Sequence, residues 1–156
     1  MQLNNMSVVV TGGASGLGLA CARRLVARGV HVVIADLNRE RGVQVLAELG
    51  DLAQFVHADV CDPAQMGLVF DAAQAREALR GLVHCAGYGG PVRLVEKDGQ
   101  PGSLEKFESI VRINVVGTFN VLRLAAARMA KNEVIDGERG ACVLTCRRRW
   151  LSTKLT

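Results

Sequence analysis

The chain has 156 residues, of which 49% are hydrophobic and 22% are charged. Length and composition predict one globular domain and exclude disordered, collagen-like and disulfide-scaffold classes. No uninterrupted apolar run approaches the roughly 18 residues that a membrane span needs. Five cysteines form no CxxC pair, and we see no signal peptide, so we expect a reducing compartment and a cytoplasmic location.

The net charge of +4 is concentrated at the end of the chain. Arg147, Arg148, Arg149 and Lys154 account for all of it, because without these four residues 15 basic side chains balance 15 acidic ones. The rest of the chain has no net charge, which argues against a basic groove. A single basic cluster without a helix or strand that reads bases is weak support for nucleic-acid binding. We therefore expect no nucleic-acid partner and no membrane partner.

Apolar runs rich in Val and Ile alternate with segments of helical spacing. This alternation is typical of βαβ units, and it predicts an α/β fold with a doubly wound parallel sheet of the Rossmann type. We predict strands at 7–11, 30–35, 53–57, 81–85 and 141–146. Helices are predicted from about 17 to the residue before Gly29, at 39–49, from Pro63, and from a cap at Ser103 to about Ala130.

The last predicted helix carries a stripe of residues that we expect to be buried. Its members are Phe107, Ile110, Val111, Thr118, Val121, Leu122 and Ala125. Asn114 falls on this stripe, where its amide needs hydrogen-bonding partners, and a buried Asn bonded to nearby backbone is one reading of it. The segment 86–102 before the helix is rich in Gly and Pro and is predicted to be a functional loop.

The first predicted strand leads into a glycine-rich segment that runs directly into a helix. Its spacing is Gly12-x-x-x-Gly16-x-Gly18, with Ser15 and Leu17 between the glycines. Glycines allow a phosphate to approach the main chain, and the N-terminus of a helix favours an anion. A dinucleotide pyrophosphate fits this context. A Walker loop would need Lys and then Ser or Thr after the last glycine, but Leu19 and Ala20 follow Gly18. A simple glycine-rich turn is the alternative interpretation.

Asp36 ends the second predicted strand, 18 positions after Gly18. A carboxylate in that place can bind the ribose hydroxyls of adenosine, and it repels the 2′-phosphate of NADP, so we expect NAD as the cofactor. An ordinary acidic strand end is the alternative interpretation. Three histidines, His31, His57 and His84, lack metal-ligand spacing and are interpreted as structural, so no metal is expected.

The TGxxxGxG segment resembles the motif of the short-chain dehydrogenase/reductase family, and so does the remainder of residues 6 to about 145. Within the family, TGGASGLGLA, INVVGTFNVLRLAA and the ERG turn are most similar to type II 3-hydroxyacyl-CoA dehydrogenases. The resemblance implies adenine contacts at Asp59 and Val60, and a segment Cys85-Ala86-Gly87 beneath the nicotinamide ribose. It also implies that Asn114 is the catalytic Asn that holds a helix kink and relays protons. The implied reaction oxidises a 3-hydroxyacyl-CoA, or a related secondary alcohol, to the 3-keto form.

The chain departs from the family pattern after residue 146. Arg147 stands where the resemblance implies the catalytic Ser, and the single tyrosine, Tyr88, lies outside any YxxxK motif. We interpret 1–146 as an incomplete NAD-binding domain and 147–156 as a divergent basic tail, from truncation or a frame shift; a native solvated extension is the alternative. Two functions stay open: a dehydrogenase by lineage, and a non-catalytic NAD-binding fragment or pseudoenzyme. The family implies a homo-oligomer, whose assembly is in doubt here.

Overall fold

A computed structural model describes residues 5–144. Five parallel strands form one sheet in the order β3-β2-β1-β4-β5. The strands are β1 (Ser7–Thr11), β2 (His31–Asp36), β3 (Ala53–His57), β4 (Leu79–His84) and β5 (Ala141–Leu144). The helices are α1 (Gly16–Val26), α2 (Arg39–Leu49), α3 (Pro63–Arg76), α4 (Leu104–Val111) and α5 (Thr118–Met129). The predicted α/β fold with a doubly wound parallel sheet is confirmed.

The predicted element bounds differ from the observed ones mainly at element ends. The predicted bounds of β1, β3 and α2 match the observed ones, whereas β4 begins and ends earlier than predicted. Residues 145–146 of the predicted fifth strand and the basic tail 147–156 lie outside the described residues. Between α4 and α5 the chain forms a π-helical turn, Arg112–Gly117, which the sequence analysis did not predict as an element.

Alternating side chains of each strand build two separate cores, one on each face of the sheet. Val9 and Val33 pack with α3 and α5, and Val8 and Val32 face α1 and α2. Because side chains alternate across a strand, an unbroken Val/Ile strand is stable only when both faces are covered. The result is a three-layer α/β/α arrangement.

Side-chain caps fix where several helices begin. The Asn38 side chain accepts a hydrogen bond from the Arg41 backbone N–H, and the Ser103 side chain accepts one from Lys106. The Asp62 side chain, just before Pro63 at the start of α3, accepts hydrogen bonds from the backbone N–H groups of Ala64 and Gln65. These groups satisfy donors that a helix leaves unpaired at its N-terminus. The predicted helix starts at Pro63 and after Ser103 are thereby confirmed.

The predicted buried stripe of the long helix is correct at Ile110, Val121 and Ala125 and wrong at Phe107 and Val111. Val121 and Ala125 are buried, but Phe107 is 52% exposed and Val111 is 37% exposed. The π-helical turn inserts one extra residue, which rotates the preceding helix by about 100° relative to an uninterrupted helix. Of the two adjacent stripe residues Ile110 and Val111, Ile110 is therefore the buried one, as predicted.

The helical segment Leu104–Met129 is 26 residues long with a mean hydropathy of 1.4 in its most apolar window. By length and composition alone this segment could cross a membrane. The sequence analysis did not identify it, because that analysis considered only uninterrupted apolar runs. Ile110, Val121, Ala125 and Met129 are buried, and Val121, Ala125 and Met129 belong to the core on one face of the sheet. One side of the segment therefore packs on the sheet, while only 28% of its most apolar window is buried.

The core under α3 provides a test of this fold. Phe70 is fully buried, and the guanidinium of Arg128 lies 5.3 Å from its ring centre. We expect Phe70→Ala to lower the free energy of unfolding by about 3–5 kcal/mol, because it opens a cavity in the core. Leu68→Ala on the same helix is the control, since Leu68 is 65% exposed and its loss is expected to stay within about 0.5 kcal/mol. Urea denaturation of both variants measures the difference, and equal losses would contradict this packing.

Candidate functional site

The carboxyl end of the sheet contains a point where the strand order changes direction. From β1 the chain moves outward to β2 and β3, and it then returns to place β4 on the other side of β1. In open α/β sheets ligands bind at this edge, beside the point where the strand order changes. The predicted cofactor residues lie at this edge: Gly12, Ser15, Gly16, Leu17, Gly18, Asp36, Asp59, Val60, Cys85, Ala86 and Gly87.

The loop after β1 packs tightly against the loop after β4. Gly12 has a φ of 64°, and a Cβ atom there would lie 2.7 Å from the Ala86 nitrogen. A Cβ atom on Gly18 would overlap the Gly12 carbonyl oxygen. The backbone N–H of Gly12 also donates to the Ala35 carbonyl at 2.8 Å. Only glycine fits both positions, so the loop folds back closely over the ends of three neighbouring strands.

The N-terminus of α1 is open toward solvent. Gly16 has a φ of 53°, and no atom lies within 4 Å of the place where its Cβ would be. The Ser15 side chain makes no capping hydrogen bond, and the first turn of α1 contains no acidic residue. Backbone N–H groups and the positive end of the helix dipole are therefore available to an anion.

The Asp36 carboxylate is held beside this loop by two backbone donors. Its Oδ2 accepts from the Ala14 N–H at 3.1 Å, and its Oδ1 accepts from the Asn38 N–H at 3.0 Å. A shallow surface depression lined by residues 36–40 continues from the carboxylate. Arg39 lines this depression and contacts His57 at 3.2 Å. The negative group at the end of β2 is thus fixed in place while it still borders open surface.

The loop after β3 is attached to the long helix by a residue that the sequence analysis missed. Asn120 is 4% exposed, and its Nδ2 donates to the Val60 carbonyl at 2.8 Å. Asp59 accepts from the Cys61 backbone N–H at 2.8 Å, and a Cβ on Gly117 would lie 2.8 Å from a Val60 methyl group. A second amide in the helix, six positions after Asn114, was the available signal.

Asn114 binds the loop that follows β4. Its Oδ1 accepts from the Tyr88 N–H at 3.1 Å, and its Nδ2 donates to the Tyr88 carbonyl at 2.6 Å. A Cβ on Gly87 would lie 2.9 Å from the Asn114 Oδ1. The π-helical turn thus presents one amide that satisfies both polar groups of one backbone residue. Asn114 is thus bonded to backbone, as one reading of the sequence proposed, but it is only partly buried. The same bonds orient Asn114 toward the predicted site.

His84 is a second residue that the sequence analysis undervalued. Its ring is buried at the end of β4, with Nδ1 2.6 Å from the Thr11 Oγ1 and Nε2 3.0 Å from the Thr118 Oγ1. Burial lowers the pKa of His84 below its ordinary value. Among residues 5–144, no group of three or more His, Cys, Asp or Glu side chains lies close enough to hold a metal ion. Among the described residues, Cys21, Cys61 and Cys142 carry free thiols.

Comparison with known proteins places this site in a family. The family model described as short chain dehydrogenase matches residues 6–146. The 3-hydroxyacyl-CoA dehydrogenase type-2 of Drosophila melanogaster is 40% identical over 147 residues, covering 92% of this chain and 58% of the relative. The human protein of the same name is 36% identical, covering 92% of this chain and 56% of the relative.

A solved structure shows the same similarity. The crystal structure of 3-hydroxyacyl-CoA dehydrogenase type-2 from Mycobacterium avium matches with a TM-score of 0.88 and 41% identity, covering 93% of this chain and 58% of that one. The chain therefore spans somewhat more than half the length of these relatives. The match of the family model over residues 6–146 and the identity to relatives over most of this chain show that this chain belongs to the short-chain dehydrogenase family.

Proposed function

We propose that this chain binds NAD and forms the cofactor half of a dehydrogenase that oxidises a 3-hydroxyacyl-CoA or a related secondary alcohol. Membership of the family implies a nicotinamide cofactor. The observation that carries the proposal is the convergence of the loops after β1, β2, β3 and β4 beside the open N-terminus of α1. The substrate class follows the printed names of the relatives and rests on similarity.

The residues present fit a dinucleotide. The open space at Gly16 and the uncapped first turn of α1 accommodate a pyrophosphate, since backbone N–H groups would bind its oxygens. Asp36 would accept hydrogen bonds from the adenosine ribose, with Asp59 and Val60 beside the adenine. Gly87 and Ala86 leave room for the nicotinamide ribose, because neither presents a large side chain. The cofactor when bound supplies the acceptor for hydride.

We propose NAD over NADP because of the charge at the end of β2. The Asp36 carboxylate is fixed by two backbone donors, so it cannot turn away from a 2′-phosphate without losing both bonds. Arg39, the nearest cation along the chain, contacts His57. A 2′-phosphate would therefore meet a fixed negative charge.

Removing this charge tests the cofactor assignment. We expect the wild-type chain to bind NAD at least about tenfold more tightly than NADP, a difference of roughly 1.4 kcal/mol. Asp36→Asn and Asp36→Ala are expected to bring the ratio of the two affinities close to one, because both remove the negative charge. Calorimetric titration with both cofactors measures this ratio. Asp51→Ala, an exposed carboxylate in the turn before β3, is the control, and an unchanged ratio in the Asp36 variants would refute the assignment.

The catalytic part of the proposal depends on Asn114 and on a base. We propose that the Asn114 amide, oriented by Tyr88, lies in the proton path that the family resemblance implies. The 156 residues contain one tyrosine and no YxxxK motif, so they do not supply the Tyr and Lys that the resemblance implies for removal of the alcohol proton. This observation favours the second candidate function, a non-catalytic NAD-binding module, for a polypeptide of these residues alone.

Activity measurements separate the two functions. We expect a chain of these 156 residues to bind NAD but to form no NADH from 3-hydroxybutyryl-CoA above background, because the proton of the alcohol has no acceptor. Absorbance of NADH follows the reaction, and the Tyr88→Phe variant is the control. Turnover that disappears in Tyr88→Phe would show that Tyr88 serves as the base and that the non-catalytic reading is wrong.

We also propose that the chain self-associates through the outward face of its long helical segment. This face consists of Leu104, Phe107, Val115 and Phe119, which are 66%, 52%, 60% and 67% exposed. Large apolar residues exposed along one helical segment are typical of an interface, and the family resemblance implies a homo-oligomer. The exposed stripe provides apolar area for contact between two such helices.

Light scattering coupled to size-exclusion chromatography tests the association. We expect wild-type protein to elute as dimers or larger and heterogeneous species, and we expect Phe119→Lys to shift the distribution toward monomer, because a buried charge disfavours the contact. Val43→Lys is the matched control, since Val43 is 66% exposed on α2 and lies on another helix. A single sharp monomer peak for wild-type protein would exclude this interface.

A further inference from the structure

The position of His84 follows from the register of the two central strands. Thr11 ends β1, His84 ends β4, and the two residues are direct partners in the parallel ladder. Because side chains alternate along a strand, both point to the face where Val9 and Leu82 pack with α3 and α5. Thr118 is the first residue of α5 on the same face. The three side chains therefore meet beneath the loops that follow β1 and β4.

The protons of these groups can be assigned by counting donors. The single hydroxyl proton of Thr118 is donated to the Asn114 carbonyl at 2.6 Å, so the bond between Thr118 and His84 requires an N–H on the imidazole Nε2. The Nδ1 of a neutral ring is then bare and accepts the Thr11 hydroxyl proton at 2.6 Å. Thr11 Oγ1 in turn accepts from the Ala86 N–H at 3.3 Å. The neutral tautomer with hydrogen on Nε2 satisfies these four hydrogen bonds together.

The two ends of this chain of hydrogen bonds lie in the proposed cofactor site. One end holds Ala86, whose nitrogen packs against Gly12. The other end holds the carbonyl of Asn114 in the π-helical turn, and the Asn114 side chain binds Tyr88. The loop after β4 is thus fixed at Ala86 and again at Tyr88, and the rigid imidazole spans the distance between the two attachments.

We infer that His84, as the neutral tautomer with hydrogen on Nε2, is a positioning residue that sets the loop after β4 relative to the turn that carries Asn114. The inference rests on the proposed function, because these two segments form the nicotinamide side of the proposed site. His84 does not contact the cofactor; it acts through Thr11 and Thr118. Burial keeps the ring neutral at neutral pH, since it lowers the pKa of His84. Protonation would add a hydrogen to Nδ1, which could then no longer accept the hydrogen bond from the Thr11 hydroxyl.

The tautomer can be tested without any nucleotide. The chain contains three histidines, so their ring nitrogens can be separated by long-range proton–nitrogen NMR of the labelled protein. We expect His84 to show a protonated Nε2 and a bare Nδ1, and to stay neutral below the pH of about 6.5 at which an ordinary histidine gains its charge. A hydrogen on Nδ1, or titration at the ordinary value, would overturn the inference.

Two substitutions divide the role of the ring between its two nitrogens. His84→Asn places an amide near the Nδ1 position and can keep the bond to Thr11, whereas His84→Gln reaches the Nε2 position and can keep the bond to Thr118. We expect amide signals of the π-helical turn to shift in the Asn variant and the Ala86 amide signal to shift in the Gln variant. His31→Asn is the control, because the His31 Nδ1 has no hydrogen-bond partner among the described residues.

Nucleotide binding distinguishes positioning from general stabilisation. We expect both His84 variants to bind NAD about five- to tenfold more weakly and to bind ADP within about twofold of wild type, since ADP lacks the nicotinamide half of the cofactor. An equal loss for NAD and ADP would show a merely structural role and overturn the inference. Where a His84 variant does not fold, Thr118→Val repeats the test. Thr118→Ser keeps the hydroxyl and is expected to restore NAD binding.

The outcomes also separate this inference from the proposed function. Wild-type protein that binds neither NAD nor ADP, yet shows the Nε2–H tautomer and the selective amide shifts, would refute NAD binding and leave His84 as the residue that positions the loop. Wild-type protein that binds NAD, with His84 variants that bind it equally well, would support the proposed function and refute the role of His84.

Discussion

The close approach of two loops at the carboxyl end of β1 and β4 constrains the whole site. Gly12 lies against Ala86 so closely that a Cβ atom cannot be accommodated, and this contact exists only because β1 and β4 are parallel neighbours. Parallel pairing brings the carboxyl ends of all the strands to one edge. The glycine-rich loop, the carboxylate of Asp36 and the segment after β4 are therefore brought together by the sheet.

The π-helical turn is the second feature on which the site depends. One additional residue in the helix directs Asn114 toward Tyr88, and it moves Phe107 and Val111 off the buried stripe. The same local distortion thus serves the site on one side and exposes an apolar face on the other. π-helical turns are rare overall, and those that occur often lie at functional sites. They direct side chains to places that a regular helix would not reach.

The proposed cofactor site consists largely of backbone groups. The glycine-rich loop offers N–H groups at the start of α1, and the Asp36 carboxylate is oriented by the N–H groups of Ala14 and Asn38. Side chains such as Asn120 and His84 act behind this surface by holding the loops to the helix. The proposed cofactor site therefore needs a sheet and a helix terminus but no catalytic base.

The sequence alone determined the fold class, the strands and the position of the loops that form the proposed cofactor site, because each of these has a local signature. Val and Ile runs mark buried strands, Gly12, Gly16 and Gly18 mark a tight loop before a helix, and Asp36 ends a strand. The tertiary structure decided what depends on contacts between distant segments. Periodicity assumes a regular helix, so it could not reveal the π-helical turn or the exposure of Phe107. Nor could it show that His84 bonds Thr11 and Thr118, because 73 and 34 positions separate these partners along the chain and only the strand register and the helix packing bring them together.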